Sequence, residues 1–242
     1  MQDTRNCEIL SFLMIGQSNM AGRGELSDVK PIKNPDCFML RMGKWQPMAE
    51  PVNPDRSIFS GRYRSGISLG ASFADTAATR LSIKIGLIPC ADGGTGIDEW
   101  LPGEILYDHA ILMTRLAMRT STLGGILWHQ GENDCLSDKA LLEHTEKFIR
   151  IVKALRCDLG IENIPFIIGE LSQNYTNDTY KLEDRPRKMN EAYRAVAKAL
   201  PYCGVVSSEG LSMKADGLHF DSLALREFGK RYFYTYEEIV EK

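Results

Sequence analysis

Short apolar runs alternate with amphipathic segments along the chain. Most of the runs are continuously apolar, which is typical of strands covered by helices on both faces. They span Glu8–Ile15, Leu81–Pro89, Leu123–Trp128, Pro165–Gly169 and Gly204–Ser207. The segments with helical spacing span Ser68–Thr79, Ile105–Arg119, Asp138–Leu159, Arg187–Leu200 and Asp221–Val240. This alternation predicts a three-layer α/β/α fold around a flavodoxin-like, doubly wound parallel sheet of about five strands.

Residues 22–66 interrupt this alternation. The stretch holds five prolines and little periodicity, so it predicts a long surface excursion, with room for a short hairpin at Cys37–Trp45. No linker composition or internal repeat divides the chain. We therefore expect residues 1–242 to form one domain.

Composition and charge narrow the function classes. The chain has 29 Lys and Arg against 32 Asp and Glu, a net charge of −3, and 43% hydrophobic residues. This balance offers no basic surface for nucleic acid. Apolar stretches such as Ile9–Ile15 fall short of the roughly 20 residues that a membrane helix needs. Neither nucleic acid nor a membrane is therefore an expected partner.

The cysteines and the N-terminus indicate a reducing compartment. Six cysteines are scattered with no CxxC pair, and no histidine has a second histidine or cysteine at metal-ligand spacing. We expect free thiols and no metal site. The first apolar segment runs into Gly16-Gln17-Ser18-Asn19 instead of a small-residue cleavage site, so a cytoplasmic location is expected.

The first polar motif, GQSNMAG at residues 16–22, follows the first predicted strand. Ser18 lies where a hydroxyl can be presented at a strand-to-loop turn, but a serine there also suits a helix N-cap. Both interpretations stay open on this motif alone. The segment lacks the second glycine of a G-x-S-x-G elbow, which disfavours a conventional α/β-hydrolase.

The second motif, PCADGGTGIDEW at residues 89–100, follows the second predicted strand. Its paired Gly93 and Gly94 can bring backbone N–H donors close to a ligand, or can simply form a tight turn. Phosphate binding is disfavoured because no Gly-Lys-Ser or Gly-Lys-Thr accompanies the glycines.

Two further motifs contain histidine. WHQGEND, at residues 128–134, follows the third predicted strand, and its His129 is a candidate base, although a strand-end histidine is more often structural.

DGLHFD, at residues 216–221, places Asp216 three residues before His219. The carboxylate can accept from Nδ1 and leave Nε2 facing outward, which is the orienting half of a nucleophile–base–carboxylate arrangement. Alternatively, the segment is a polar loop with Asp221 as the N-cap of the last helix.

Together the four motifs resemble the SGNH hydrolases and, within them, carbohydrate esterase family 6, the acetylxylan esterase and sialate O-acetylesterase-like group. The motifs occur in the family's order and span nearly the whole chain. The resemblance implies a serine esterase that releases acetate from acetylated sugars through an acetyl-serine intermediate, without a cofactor or metal. An acetylated carbohydrate is the implied partner, and no oligomeric state is implied.

The resemblance also implies residue roles. Ser18 is the nucleophile, His219 the base and Asp216 its carboxylate. The oxyanion hole combines the Ser18 amide, the Gly94 amide (slightly preferred over Gly93) and the Gln130 side chain. The residues implied to support these groups or to contact substrate are Gln17, Asn19, Gly93 and Glu132.

Two alternatives stay open. A non-catalytic carbohydrate-binding module on the same scaffold could stack sugars on Trp45, Trp100 or Trp128, although each is more readily placed in the core or a wall. An inactive relative would be expected to have lost a residue of the triad, and none is missing. The second alternative keeps the chemistry and changes the substrate to a non-sugar acyl ester.

Overall fold

The computed structural model describes residues 9–54, 64–176 and 182–241. Within them, one seven-stranded sheet has the order β3-β2-β4-β1-β5-β6-β7. The strands are β1 (Ile9–Gly16), β2 (Cys37–Arg41), β3 (Lys44–Pro47), β4 (Ile85–Pro89), β5 (Ser121–His129), β6 (Phe166–Gly169) and β7 (Cys203–Val206). The helices are α1 (Ser18–Ala21), α2 (Leu69–Leu81), α3 (Ile105–Ala117), α4 (Asp138–Leu159), α5 (Arg185–Ala199) and α6 (Ser222–Val240).

The central part of the sheet has the predicted flavodoxin-like order. The five predicted strands correspond to β1, β4, β5, β6 and β7, and they lie in the sheet as β4-β1-β5-β6-β7. Every neighbouring pair among them is parallel. The α/β/α prediction is therefore confirmed.

Two strands beyond the expected five come from the excursion at residues 22–66. The predicted hairpin forms there, since β2 pairs antiparallel with β3, and β2 then joins the sheet parallel to β4. The expected strand count was too low because this hairpin extends the sheet instead of lying on the surface. Residues 55–63 of the excursion lie outside the described residues.

The largest difference between a predicted and an observed element boundary lies between α2 and β4. Leu81 was expected to begin a strand, but it ends α2, and β4 begins only at Ile85. Ser82 adopts a left-handed conformation with φ 54°, and its N–H donates to the Ala78 carbonyl, which terminates the helix. The strand was predicted to start too early because the last residue of the helix, Leu81, is apolar and precedes the apolar residues of the strand.

The core lies in two layers, one on each face of the sheet. On β1, Phe12 and Met14 face the layer formed with α2 and α6, whereas Leu13 and Ile15 face the layer formed with α3, α4 and α5. All four side chains are buried. Burial on both faces explains why the strands are continuously apolar in the sequence.

The carboxyl ends of β4, β1 and β5 lie side by side, so the segments that follow them meet. β1 ends at Gly16, whose register partner on β5 is His129. Gly16 has φ 128°, and a Cβ there would lie 2.0 Å from the His129 carbonyl oxygen. Only glycine permits this approach. The chain then continues with the Gln17 N–H donating to that carbonyl at 2.8 Å.

Several other expectations concern the described residues. The five described cysteines are free thiols, as predicted, while Cys7 lies outside the described part of the chain. No helix within the described ranges is long and apolar enough to cross a bilayer. Across residues 9–54, 64–176 and 182–241, no cluster of three or more His, Cys, Asp or Glu side chains could hold a metal ion.

The buried Glu50–Arg226 ion pair generates a stability prediction. Arg226 on α6 donates to both carboxylate oxygens of Glu50 at 2.6 Å, and the Glu50 side chain is only 3% exposed. Glu50→Ala leaves a buried charge without its partner, so the free energy of unfolding should fall by about 3 kcal/mol. Glu191→Ala breaks a pair with Arg187 in which both side chains are 53% exposed, and should cost less than about 1 kcal/mol. Urea denaturation measures both, and equal losses would contradict the prediction.

Candidate active site

The turn from β1 into α1 presents Ser18. The neighbouring Gln17 is the N-cap residue, and Ser18 is the first residue of the helix. The Ser18 hydroxyl therefore does not act as the helix cap that the sequence left open. The Gln17 side-chain oxygen instead accepts from the N–H groups of Gly131 at 3.3 Å and Asn133 at 3.4 Å. These bonds tie the turn to the segment after β5.

Two hydrogen-bond contacts connect three predicted side chains, with His219 between Ser18 and Asp216. His219 Nε2 is 2.9 Å from the Ser18 hydroxyl oxygen, across 201 positions of the chain. His219 Nδ1 is 2.8 Å from Asp216 Oδ2. The other Asp216 oxygen accepts from the N–H groups of Leu218 and His219, each at 2.9 Å. Asp216 is thus held by both the ring and the backbone of its own loop.

Asp221, the competing carboxylate, has a different role. Its side chain accepts from the Ala224 N–H at 2.8 Å, which makes it the N-cap of α6, as the capping interpretation predicted. Its carboxylate is therefore engaged by the helix, and the imidazole partner is Asp216.

The electrostatics of the loop keep Asp216 ionised. Burial alone would raise the pKa of Asp216, but the hydrogen bonds from the His219 amide and ring and from the Leu218 amide outweigh it. The pKa therefore lies below its ordinary value. An ionised carboxylate beside Nδ1 favours the tautomer that leaves Nε2 free to accept a proton from Ser18.

A pocket of about 380 Å³ lies in front of the serine. Its lining includes Ser18, Asp216 and His219, together with Gln17, Arg23, Gly93, Gly94, Glu132, Asn133, Tyr175 and Lys214. A Cβ at Gly93 would lie 2.4 Å from Arg23 Nη2 and 3.5 Å from the Ser18 Cβ. The backbone of the paired glycines therefore comes close to the serine, and a side chain at residue 93 would require the Arg23 guanidinium to move.

The Gln130 side chain does not reach this pocket. It is fully buried, and its amide donates to the Thr95 carbonyl at 3.1 Å and, through a very short contact, to the Asp134 carboxylate. Burial raises the pKa of Asp134 to about 6, although Gln130 and the Ile97 N–H act in the opposite direction. The implied role of Gln130 as an oxyanion donor disagrees with this geometry, because its donor is already engaged.

Asn133 is one of the pocket residues that the sequence did not single out, and it carries a side-chain donor beside the serine. It is exposed, lines the pocket, and lies three residues beyond Gln130 in the same motif. The motif contains several amides and carboxylates, and the linear pattern does not show which of them faces out. The fold separates them: Gln130 and Asp134 are buried, and Asn133 is not.

His129 is structural, as favoured from the sequence. It is fully buried, with Nε2 3.1 Å from Glu132 Oε1 and Nδ1 3.4 Å from the Tyr232 hydroxyl. Burial alone would raise the pKa of Glu132, but the pairing with His129 and the hydrogen bond from Asn19 hold it below its ordinary value. Glu132 is therefore a buried, ionised carboxylate at the edge of the pocket.

The tryptophans do not offer the predicted alternative of sugar stacking. Trp100 and Trp128 are buried, with their rings 5.8 Å apart in an edge-to-face arrangement. The Trp100 indole N–H donates to Thr95 at 3.1 Å. Both belong to the core, and Trp45 packs at the β2–β3 edge of the sheet.

Comparisons with known proteins show the family of the chain. A family model described as "Carbohydrate esterase, sialic acid-specific acetylesterase" matches residues 9–238. A probable carbohydrate esterase of Arabidopsis thaliana is 30% identical over 239 residues, covering 90% of this chain and 86% of the relative.

Solved structures share the fold. An Arabidopsis thaliana protein superposes with a TM-score of 0.84 at 28% identity, over 96% of this chain and 98% of the other. NanS superposes with a TM-score of 0.75 at 16% identity, over 97% and 98% of the two chains. A carbohydrate acetylesterase from Xanthomonas citri gives 0.67 at 18% identity, over 96% of this chain and 56% of the other.

His144 beneath the Gln130 amide generates a pH prediction. Burial lowers the pKa of His144 from 6.5 to about 3, and the Lys147 charge acts in the same direction. Below about pH 6.5 His144 therefore binds a proton in the unfolded chain but not in the native protein. The free energy of unfolding consequently decreases as the pH is lowered. His144→Gln should remove about 2 kcal/mol of the loss between about pH 6.5 and 5. Urea denaturation at both pH values measures it.

The control for this prediction is His109→Gln, which changes an exposed histidine on α3. Its pH-dependent loss should match that of the unmodified protein. The raised pKa of Asp134 acts in the opposite direction, but it does so in all three proteins. An undiminished loss in the His144 variant would contradict the assignment of a neutral buried imidazole.

Proposed function

The chain belongs to the family of carbohydrate esterases described as sialic acid-specific acetylesterases, and on that basis we propose that it is a serine-dependent sugar O-acetylesterase. As a member it is a carboxylic ester hydrolase. The observation that supports the serine mechanism is the continuous contact from Ser18 through His219 to Asp216 at the edge of the pocket. We further propose one esterase domain, which the family match over residues 9–238 supports.

The proposed first half-reaction transfers the acetyl group to the enzyme. His219 Nε2 takes the Ser18 proton as the serine oxygen attacks the acetyl carbonyl carbon, because a neutral serine hydroxyl is a weak nucleophile. The carbonyl electron pair moves onto oxygen, and Asp216 steadies the imidazolium without itself taking the proton. Collapse of the tetrahedral intermediate breaks the bond to the sugar oxygen, which receives the proton from His219. Acetyl-Ser18 remains.

The second half-reaction reverses these roles with water as the nucleophile. His219 takes a proton from water, whose oxygen attacks the acetyl-serine carbonyl. Collapse releases acetic acid, which loses its proton to solvent to become acetate, and His219 returns the proton that it took from water to the Ser18 oxygen. His219 thus carries each proton that enters or leaves Ser18, so the proposed cycle uses no cofactor.

Three donors are proposed for the oxyanion. The Ser18 and Gly94 amides keep the roles implied by the sequence resemblance, and the Asn133 side chain replaces Gln130. Two observations support this replacement: Asn133 lines the same pocket as Ser18 and the paired glycines, whereas the Gln130 amide is engaged by Thr95 and Asp134.

The proposed substrate class is an acetylated carbohydrate. Membership in carbohydrate esterase family 6, and activity on acetylated xylan or acetylated sialic acid, remain proposals to be separated by substrate. Hydrolysis rates on acetylated xylan, acetylated sialic acid and longer acyl esters would rank these possibilities. Turnover only of longer acyl esters would contradict the sugar assignment.

Ser18→Ala tests the nucleophile. The variant should lose hydrolysis of p-nitrophenyl acetate, because no other hydroxyl contacts His219 among the described residues. Its thermal unfolding should be nearly unchanged, since the Ser18 hydroxyl oxygen has only that one side-chain contact in the described chain. Spectrophotometric release of nitrophenol and a thermal melt measure both effects. Persistent turnover in a pure preparation would refute the serine mechanism.

Asn133→Ala and Gln130→Ala test the oxyanion donor. Loss of one such donor lowers kcat by about 100- to 1,000-fold, and we expect this loss in the Asn133 variant with little change in stability. Gln130→Ala should mainly lower the unfolding temperature, because it leaves the buried Asp134 carboxylate with the Ile97 N–H as its one remaining donor among the described residues. A kcat loss of that size in the Gln130 variant, with unchanged stability, would restore the original assignment.

A further inference from the structure

Asn19 connects the turn that carries Ser18 to the loop that carries His219. Its side-chain oxygen accepts from the Phe220 N–H at 3.1 Å. Its side-chain nitrogen donates to the Leu218 carbonyl at 3.2 Å. The amide thus holds the backbone immediately before and immediately after His219. Asn19 is itself only 1% exposed and does not belong to the pocket lining.

The buried Glu132 carboxylate orients the Asn19 side-chain amide. Asn19 Nδ2 also donates to Glu132 Oε1 at 2.5 Å. The same oxygen faces His129 Nε2, and the His129 ring meets the Tyr232 hydroxyl on α6. An ionised carboxylate only accepts, so it turns the nitrogen of Asn19 toward itself and the oxygen toward Phe220.

Glu132 requires these contacts in return. Its other oxygen, Oε2, is buried without a hydrogen-bond partner among the described residues. A buried carboxylate is costly unless its remaining oxygen is well bonded. Oε1 receives both Asn19 and His129, so removing either donor weakens the support of the whole group.

We propose that Asn19 is a positioning residue for the esterase reaction: its amide, oriented by the buried Glu132–His129 pair, sets the position of His219 relative to Ser18. This inference rests on the proposed function. Asn19 touches no reacting atom, so its effect should appear in the chemical step and not in substrate binding. A displacement of about 1 Å at a reacting group can lower turnover about 100-fold.

Asn19→Asp is the sharpest test because it preserves shape and removes the donor. When ionised, the introduced carboxylate would face the Glu132 carboxylate and the Leu218 carbonyl with no hydrogen to offer either of them. When protonated, the introduced carboxyl group could donate to Glu132 and still accept from Phe220. The charged or titratable neighbours in this network are Glu132 and His129, with Tyr232 beyond them and His219 on the tethered loop. The ratio of variant to wild-type kcat should therefore rise as the pH falls.

Asn34→Asp is the matched control. Asn34 also donates to a carboxylate, Asp75 at 2.8 Å, and accepts from a backbone N–H, that of Asp36 at 3.0 Å. It belongs to the excursion and does not line the pocket. The control should keep the wild-type kcat, and its activity ratio should not change with pH. A fall equal to that of Asn19→Asp would assign the effect to general stability and overturn the proposal.

Two further variants complete the experiment. Asn19→Ala should lower kcat about 100-fold and leave KM within about twofold. The low-field proton signal of the His219–Asp216 hydrogen bond should shift or broaden. Adding Glu132→Gln to Asn19→Asp supplies a donor in place of the carboxylate, so the double variant should exceed Asn19→Asp in kcat about tenfold at neutral pH, and the two single variants complete the double-mutant cycle.

The outcomes distinguish this inference from the function on which it rests. Inactive wild-type protein, or active Ser18→Ala, would remove the proposed function itself. Active wild-type protein with unchanged kcat and an unchanged low-field signal in Asn19→Ala would overturn only the positioning role. If circular dichroism showed that neither Asn19 variant folds, Asn19 would be assigned to folding, which also overturns it.

Discussion

The approach of Gly16 to the His129 carbonyl is the contact on which the site depends. β1 lies between β4 and β5, so the first three motifs leave the sheet at adjacent positions. A Cβ at residue 16 would meet the His129 carbonyl oxygen at 2.0 Å, and any side chain there would force the ends of β1 and β5 apart. The Ser18 turn would then lose the Gln17 bonds that tie it to Gly131 and Asn133.

The polar residues around this contact divide into a buried layer and an exposed layer. The buried layer contains His129, Glu132 and Gln130, which are almost fully buried. His129 hydrogen-bonds to Glu132, and the Gln130 amide donates to the Thr95 carbonyl. Asp216 and His219 lie above them on a loop that retains access to solvent. Apart from Glu132 Oε2, which has no hydrogen-bond partner among the described residues, the polar side-chain atoms of the three buried residues are hydrogen-bonded, and the layer forms a rigid base. The exposed groups are the ones free to exchange protons with a bound molecule.

The sequence predicts the backbone of this arrangement better than its side-chain directions. The strands, the helices and the pairing of Asp216 with His219 could be predicted because each depends on local periodicity or on short-range geometry. The strand start at Leu81 was wrong because an apolar run does not mark where a helix stops. The Gln130 role disagreed with the structure because side-chain direction after β5 depends on Thr95 and Asp134, which only the folded chain brings into contact.

The order Ser18-Asn19 gains a physical meaning from this distinction. Successive residues of a helix are roughly 100° apart around its axis. When Ser18 faces the pocket, Asn19 therefore points in a different direction, and here it is buried, where Glu132 and the backbone on either side of His219 are within reach. A single turn of α1 thus presents the proposed nucleophile on one side and tethers the loop of its proposed base on the other. The distance between two groups far apart in the sequence then depends on one buried amide and the carboxylate that orients it.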